Sequence, residues 1–196
     1  EIVASLDKAT YVVSGVRKTL VRRSPPPPFM TSTLQRAAAN VFSWSSKKTM
    51  QVAQRLYERG YITYHRTDSF NLAQEALVQA GKYIGQTFGA EYGLPTPRRY
   101  KSKSKLAQEA HEAIRPTEAK LTHIGEDEKD HRDLQKLYEM IWKRFVATQM
   151  TEAVYDRTTI DVKAGKYGLR AVGSVIRFDG WLKLYAKLEQ VDEGQR

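Results

Sequence analysis

Apolar positions recur along this chain in two rhythms. From Thr31 to Phe42 they fall at Leu34, Ala37, Ala38, Val41 and Phe42, the spacing of one helix face, with Thr31 or Ser32 available as cap. Ser43-Trp44-Ser45 interrupts the pattern. Ser45 or Ser46 then caps a second predicted helix, whose stripe is Met50, Ala53 and Tyr57 and whose end is Arg59-Gly60. A third helix is predicted from Ser69 or Asn71 through Leu72, Ala76, Ala80, Tyr83 or Ile84 and Phe88. A long one spans about Glu126 to Gln149. It sets Glu126, Asp127 and Glu128 at the positive end of its dipole and lines one face with Leu134, Leu137 or Tyr138, Ile141, Phe145 and Thr148.

Toward both ends the period shortens to two. Val12-Val13 and Leu20-Val21, separated by basic and polar residues, predict two short strands ending at Arg22-Arg23-Ser24. From Val154 onward, Thr158, Ile160 and Val162, then Val175, Ile176, Phe178, Trp181, Leu182 and Leu184, predict further strands punctuated by glycines at 165, 168, 173 and 180. Gly60 to Ser69 also reads as a strand, leaving the second helix. Pro25-Pro26-Pro27-Pro28 forms a stiff connector, because proline donates no ladder hydrogen bond and favours polyproline II. The order strands, helices, strands gives an α+β class. Residues 25–146 form a winged-helix-like helical domain, inserted in a mostly β domain made of residues 1–24 and 147–196.

Charge narrows the partners. Lys and Arg outnumber Asp and Glu by 32 to 22, a net charge of +10 with pI near 9.7, which favours an anionic partner, nucleic acid ahead of acidic lipid. An apolar share of 41% over 196 residues suffices for a packed core. No apolar run approaches the roughly 20 residues of a membrane span, and Glu1 to Asp7 do not form a leader peptide. The absence of cysteine excludes disulfides, thiolate nucleophiles and cysteine-ligated zinc, and is compatible with a reducing cytoplasm. Lys47 and Lys48, in the first turn of the second helix, oppose the helix dipole but suit a phosphate. The stretch from Gly93 to Lys105 carries five cations and no acid, which reads either as a mobile phosphate-contacting loop or as a solvated surface.

Tyr64 and Arg66 are the chemically informative pair. On a strand they share one face and meet one phosphodiester together, a nucleophile beside a phosphate clamp. A phenol, with pKa near ~10, is a weak nucleophile at neutral pH and needs cations or a base nearby. His65 faces away by the same alternation. Thr67, Asp68 and Ser69 are read as fixing the turn that follows. Glu112 and Arg115 are read as an ion pair on a helical turn.

Four separated motifs resemble bacterial type IA DNA topoisomerases, on the topoisomerase I branch. They are Pro25-Pro-Pro-Pro-Phe29-Met-Thr31-Ser32-Thr33-Leu34-Gln35, Lys48 to Glu58 with Tyr61 to Ser69, Gln108 to Thr117, and Leu137-Tyr138 to Met150. The resemblance implies that residues 25 to about 146 correspond to the tyrosine-bearing domain III and the flanking strands to domain II, the arch of a toroid. Tyr64 would be the nucleophile forming a 5′-phosphotyrosine, without ATP, to relax negative supercoils. Arg66 and His111 would be its catalytic partners, and Arg66, Lys47, Lys48, Gln35 and Thr67 would contact DNA. His65 stands where the family commonly has methionine or another uncharged residue. No metal ligands are assigned in this chain, because the resemblance puts the Mg2+ site in a Toprim domain, and no Asp-x-Asp strand occurs in this sequence.

The chain is therefore expected to be a central fragment, inactive alone, that needs the Toprim and gate domains of its own polypeptide. Its expected substrate is single-stranded and negatively supercoiled DNA, its expected location the cytoplasmic nucleoid. The competing reading is a non-catalytic winged-helix nucleic-acid-binding module, in which Tyr64 is a stacking or core residue. A covalent DNA adduct that requires Tyr64 separates the two.

Overall fold

The computed structural model describes residues 2–100, 111–125 and 131–185. Residues 101–110, with the Gln108 start of one motif and the end of the basic loop, and 126–130, with the acidic helix start, lie outside the described residues. Among the described residues five α-helices, α1 (Ile2–Asp7), α2 (Thr31–Phe42), α3 (Ser46–Glu58), α4 (Gln74–Thr87) and α5 (His131–Thr148), accompany three strands, β1 (Tyr11–Arg23), β2 (Ala153–Ala164) and β3 (Tyr167–Phe178). They divide into two compact units, described residues up to Ser24 with Glu152–Gly180, and Pro25–Thr151 with the described residues from Trp181.

The first unit is an antiparallel meander in the order β1-β2-β3, paired from Tyr11↔Ala164 to Arg23↔Ala153 and from Ala164↔Tyr167 to Val154↔Phe178. Where two short strands were expected, β1 is one strand, with a register shift between Val13 and Gly15. Its intervening polar residues do not break it, because the strand is solvated along its length and polarity there costs no burial. Within the three strands only Ala153 and Ala164 are buried, while Val16 and Val175 are 60% and 71% exposed. Gly165 turns β2 into β3 with φ +59°, the positive value that the first residue of a two-residue hairpin loop requires.

The second unit owns the hydrophobic core. Leu34 and Ala38 of α2, Val52, Ala53 and Leu56 of α3, Ala76, Ala80 and Ile84 of α4, and Leu134, Leu137, Tyr138, Ile141 and Phe145 of α5 pack together. The α3 stripe is rotated from expectation: Thr49, Val52, Ala53 and Leu56 are buried and Tyr57 is 40% exposed. Met30, not Thr31 or Ser32, precedes α2, its N–H donating to Thr33 Oγ1 at 3.0 Å. Ser45 caps α3 by accepting from Lys48 N–H. The start of α4 follows Ala73, whose N–H donates to Glu112 Oε1 at 2.5 Å.

Two boundaries also differ. Residues 147–151 belong with the helices, since Met150 is buried and bridged to Gly93 and Thr151 N–H donates to the Tyr92 carbonyl. Trp181 to Leu184 form a 3-10 turn and not a strand, held by Trp181 N–H on the Thr151 carbonyl and by burial of Leu184.

Candidate functional site

The segment from Gly60 to Ser69 is not the regular strand expected of it. Ile62 makes an isolated bridge to Pro116, with Thr63 N–H donating to the Arg115 carbonyl and Thr117 N–H to the Tyr61 carbonyl. Pairing then stops, because further on the backbone bonds to α2: Thr67 N–H donates to Thr31 Oγ1 at 2.9 Å and Thr31 N–H to the Thr67 carbonyl. The Thr31 hydroxyl also lies 2.8 Å from the His65 carbonyl. Alternation nevertheless survives in burial. His65, Thr67 and Ser69 are buried, whereas Tyr64, Arg66 and Asp68 are exposed. The chain thus shows a phenol and a guanidinium to solvent from one tethered, irregular segment.

The tethers are mostly hydroxyls. Thr63 Oγ1 accepts from Arg115 N–H and donates to the Ala113 carbonyl at 2.7 Å, and Thr117 Oγ1 donates to the Gly60 carbonyl. Thr67 Oγ1 accepts from Ser69 N–H and Ser69 Oγ from Asn71 N–H, so these two residues build the turn as expected. Thr67, expected at the DNA, is 7% exposed and occupied by this bonding.

His111 enters from a distant part of the chain. Its segment is extended, not the helical turn expected, and Ile114 N–H donates to the Phe29 carbonyl while Ala113 N–H donates to that of Asn71. The Glu112–Arg115 pair is nonetheless present at 2.7 Å, and Glu112 also receives the Ala73 N–H. This anchorage sets the His111 ring 6.2 Å from that of Tyr64, centroid to centroid. Tyr64, 41% exposed, also meets Tyr57 edge-on at 5.3 Å. Tyr57, expected on the α3 stripe, stands instead beside Tyr64; its closeness to Gly60, where the chain reverses with φ +74°, is the available signal.

Arg66 borders two open hollows. One, of about 420 Å³, is lined by Met30, Thr31, Ser32, Gln35, Arg66, Thr67, Asp68 and His111. The other, of about 670 Å³, runs along α3 between Lys47, Met50, Gln51, Gln54, Arg55 and Arg66. Gln35 and Lys47 therefore reach cavities that Arg66 shares. Lys48 does not line either hollow: its Nζ is 2.8 Å from Asp133 Oδ2 and lies over the Trp44 ring. A more enclosed apolar cavity of about 210 Å³, between Phe29, Phe42 and Met140, carries none of this chemistry.

His65 lies on the opposite, buried face, as alternation predicts, yet its ring stays close to that of Tyr64. Its ring is fully buried, 5.4 Å from the Tyr64 ring and 5.9 Å from that of Tyr57. Burial holds its pKa below the ordinary histidine value, Arg66 lowers it further, and Glu58 opposes them. Among the described residues no three His, Asp or Glu side chains converge as a metal site would require.

Tyr64 itself lines neither hollow; Arg66, exposed like Tyr64 and two residues from it, borders both, an arrangement that suits an anionic polymer bound at its phosphates. Similarity to known proteins points the same way. Residues 1–195 match the DNA topoisomerase family. DNA topoisomerase 1 of Salmonella typhimurium is 49% identical over 97% of this chain, and that of Escherichia coli K12 is 48% identical over the same share. The chain spans 22% of the length of each. The full-length topoisomerase I structure from Thermotoga maritima superposes with a TM-score of 0.79 at 34% identity, over 94% of this chain and 31% of that one. This chain belongs to the bacterial type IA DNA topoisomerase family, on its topoisomerase I branch.

Proposed function

We propose that this chain is the tyrosine-bearing part of an enzyme that cleaves and reseals one DNA strand to relax negative supercoils. The helical unit then corresponds to domain III, with α2 and α3 in a winged-helix-like order, and the sheet unit to the domain II arch. The observation that carries the reading is the exposed Tyr64, with Arg66 two residues on and the His111 ring 6.2 Å away, on a segment whose backbone is tethered on both sides.

Tyr64 Oη attacks the scissile phosphorus and gives up its proton. The bond from Tyr64 to the 5′-phosphate forms as the bond to the 3′ oxygen breaks, and that oxygen leaves as a hydroxyl after taking up a proton. Resealing is the reverse, so one ester replaces another and no ATP is consumed. Arg66 grips the non-bridging oxygens and offsets the charge that builds there. His111, on the rim of the hollow that Arg66 shares, binds a phosphate oxygen. Gln35 and Lys47 position the strand on either side. Mg2+ is assigned to the Toprim domain of the same polypeptide, where it would neutralise phosphate charge; no residue of this chain is assigned to it. The isolated chain should bind single-stranded DNA in a salt-sensitive way and relax nothing. The working location is the cytoplasmic nucleoid.

The test is trapping. The chain is incubated with labelled single-stranded DNA and magnesium, with and without a separately supplied Toprim domain. A denaturation-stable adduct that forms only with that domain and vanishes in Tyr64→Phe is the expected result. No adduct from an assembled, DNA-bound complex would favour the non-catalytic winged-helix module. In the intact enzyme Arg66→Ala should lower cleavage by about 10²- to 10³-fold while DNA binding persists; unchanged cleavage removes Arg66 from the mechanism.

A further inference from the structure

His65 is a buried titratable group beside the site that the mechanism leaves unused. His65 has no exposed surface, and neither ring nitrogen finds a hydrogen-bond partner among the described residues. A neutral imidazole leaves one N–H unsatisfied there; a protonated one leaves two, in a place from which water is excluded. The ring packs near the phenols of Tyr64 and Tyr57, at 5.4 Å and 5.9 Å from centroid to centroid. Its carbonyl is fixed by the Thr31 hydroxyl, so the backbone beneath Tyr64 and the ring beside it are held as one.

We infer that His65 is a positioning residue for Tyr64, a neutral wedge whose protonation withdraws support from the nucleophile and makes strand cleavage fall in mild acid. The inference rests on Tyr64 being that nucleophile. Charged and titratable neighbours come from each side: Glu58 and Tyr57 from α3, Tyr64 and Arg66 from the same segment, and His111 across the Tyr64 ring. Glu58 is exposed and accepts from Gln54 Nε2, whereas Arg66, next in sequence, disfavours a second positive charge. On α2, Thr31 offers the segment no ionisable group.

The direction follows from linkage. Burial depresses the folded-state pKa, so above the ordinary value of about 6.5 the ring is neutral in folded and unfolded chains alike. Below that value the unfolded chain binds a proton that the folded one resists, and stability falls until the folded ring titrates too. A charged ring has no acceptor in the pocket and must leave it. Once it titrates, His65 contributes a loss of up to about tenfold in cleavage per pH unit.

Cleavage rates of the full-length protein, measured from pH 8 down to pH 5, test this in the wild type, His65→Met and His111→Gln. The expected result is an acid limb that His65→Met flattens and His111→Gln retains, with the His65→Met variant folded and DNA-binding at pH 7.5. Superimposable wild-type and His65→Met profiles overturn the inference while leaving Tyr64 as nucleophile. An adduct that persists in Tyr64→Phe overturns the nucleophile assignment, and the inference with it. Should His65→Met fail to fold, ring resonances of 13C-labelled histidine and tyrosine in the unaltered protein decide. A His65 ring neutral at pH 6.5, whose later titration moves the Tyr64 signals, supports the inference; a ring already charged there, or Tyr64 signals indifferent to it, overturns it.

Discussion

The helical and sheet units spend similar kinds of apolar residue in opposite ways. In the helical unit Leu34, Leu56, Ile84, Ile141 and Phe145 are all but inaccessible, and the core cluster lies wholly within it. In the sheet unit Val12, Val16, Leu20, Val172 and Val175 stand open, although the ladders from β1 to β2 and β2 to β3 run almost the full length of the strands. One unit is organised by side-chain packing, the other by backbone hydrogen bonds and turn geometry. Candidate chemistry sits in the first, where packing holds separate segments in register within a few ångströms.

Substitutions break this contrast in a definite order. Phe145→Ala should be the most damaging, about 3–5 kcal/mol from lost burial and the cavity left behind, seen as a lower denaturation midpoint. Glu112→Ala comes next. It strips an acceptor from both the Ala73 N–H and Arg115, for about 1–3 kcal/mol, and hydrogen exchange should quicken first at the start of α4. In the sheet, Gly165→Ala forces a side chain into positive φ and should cost about 1 kcal/mol, read as weakened amide protection across the β2–β3 hairpin. Smallest is Val175→Thr, within about 0.5 kcal/mol, because that side chain is already in water. If Val175→Thr matched Phe145→Ala, the sheet would have a packed face and the comparison would fail.

Legibility in the sequence divides along the same line. The α2, α4 and α5 stripes were readable because packing imposes a period of 3.6 on residues such as Leu34, Ala80 and Ile141. β1 reads from the sequence as two pieces because a strand solvated on both faces has no reason to alternate. Leu182-Lys183-Leu184 alternate as a strand would, yet long-range contacts, Trp181 to Thr151 and burial of Leu184, place Trp181 to Leu184 in a turn. At the site, Tyr64 and Arg66 were legible from a motif and from alternation, and burial keeps that alternation although the backbone is irregular. The approach of His111 and the enclosure of His65 beside Tyr57 were not, since both depend on which segments pack together across the chain. Motif resemblance singled out His111 without giving its distance, and gave His65 no role.

The threonine tethers carry a mechanical meaning. A DNA end joined to Tyr64 would pull on a segment bound to the 113–117 stretch through Thr63 and to α2 through Thr67 and Thr31. Tension would divide between two anchors placed on either side of the loaded residue, so neither would unzip alone. If Tyr64 is the nucleophile proposed above, a seat in a strand frayed at one end would peel, whereas one slung between two anchors would bear the pull of a joined DNA end.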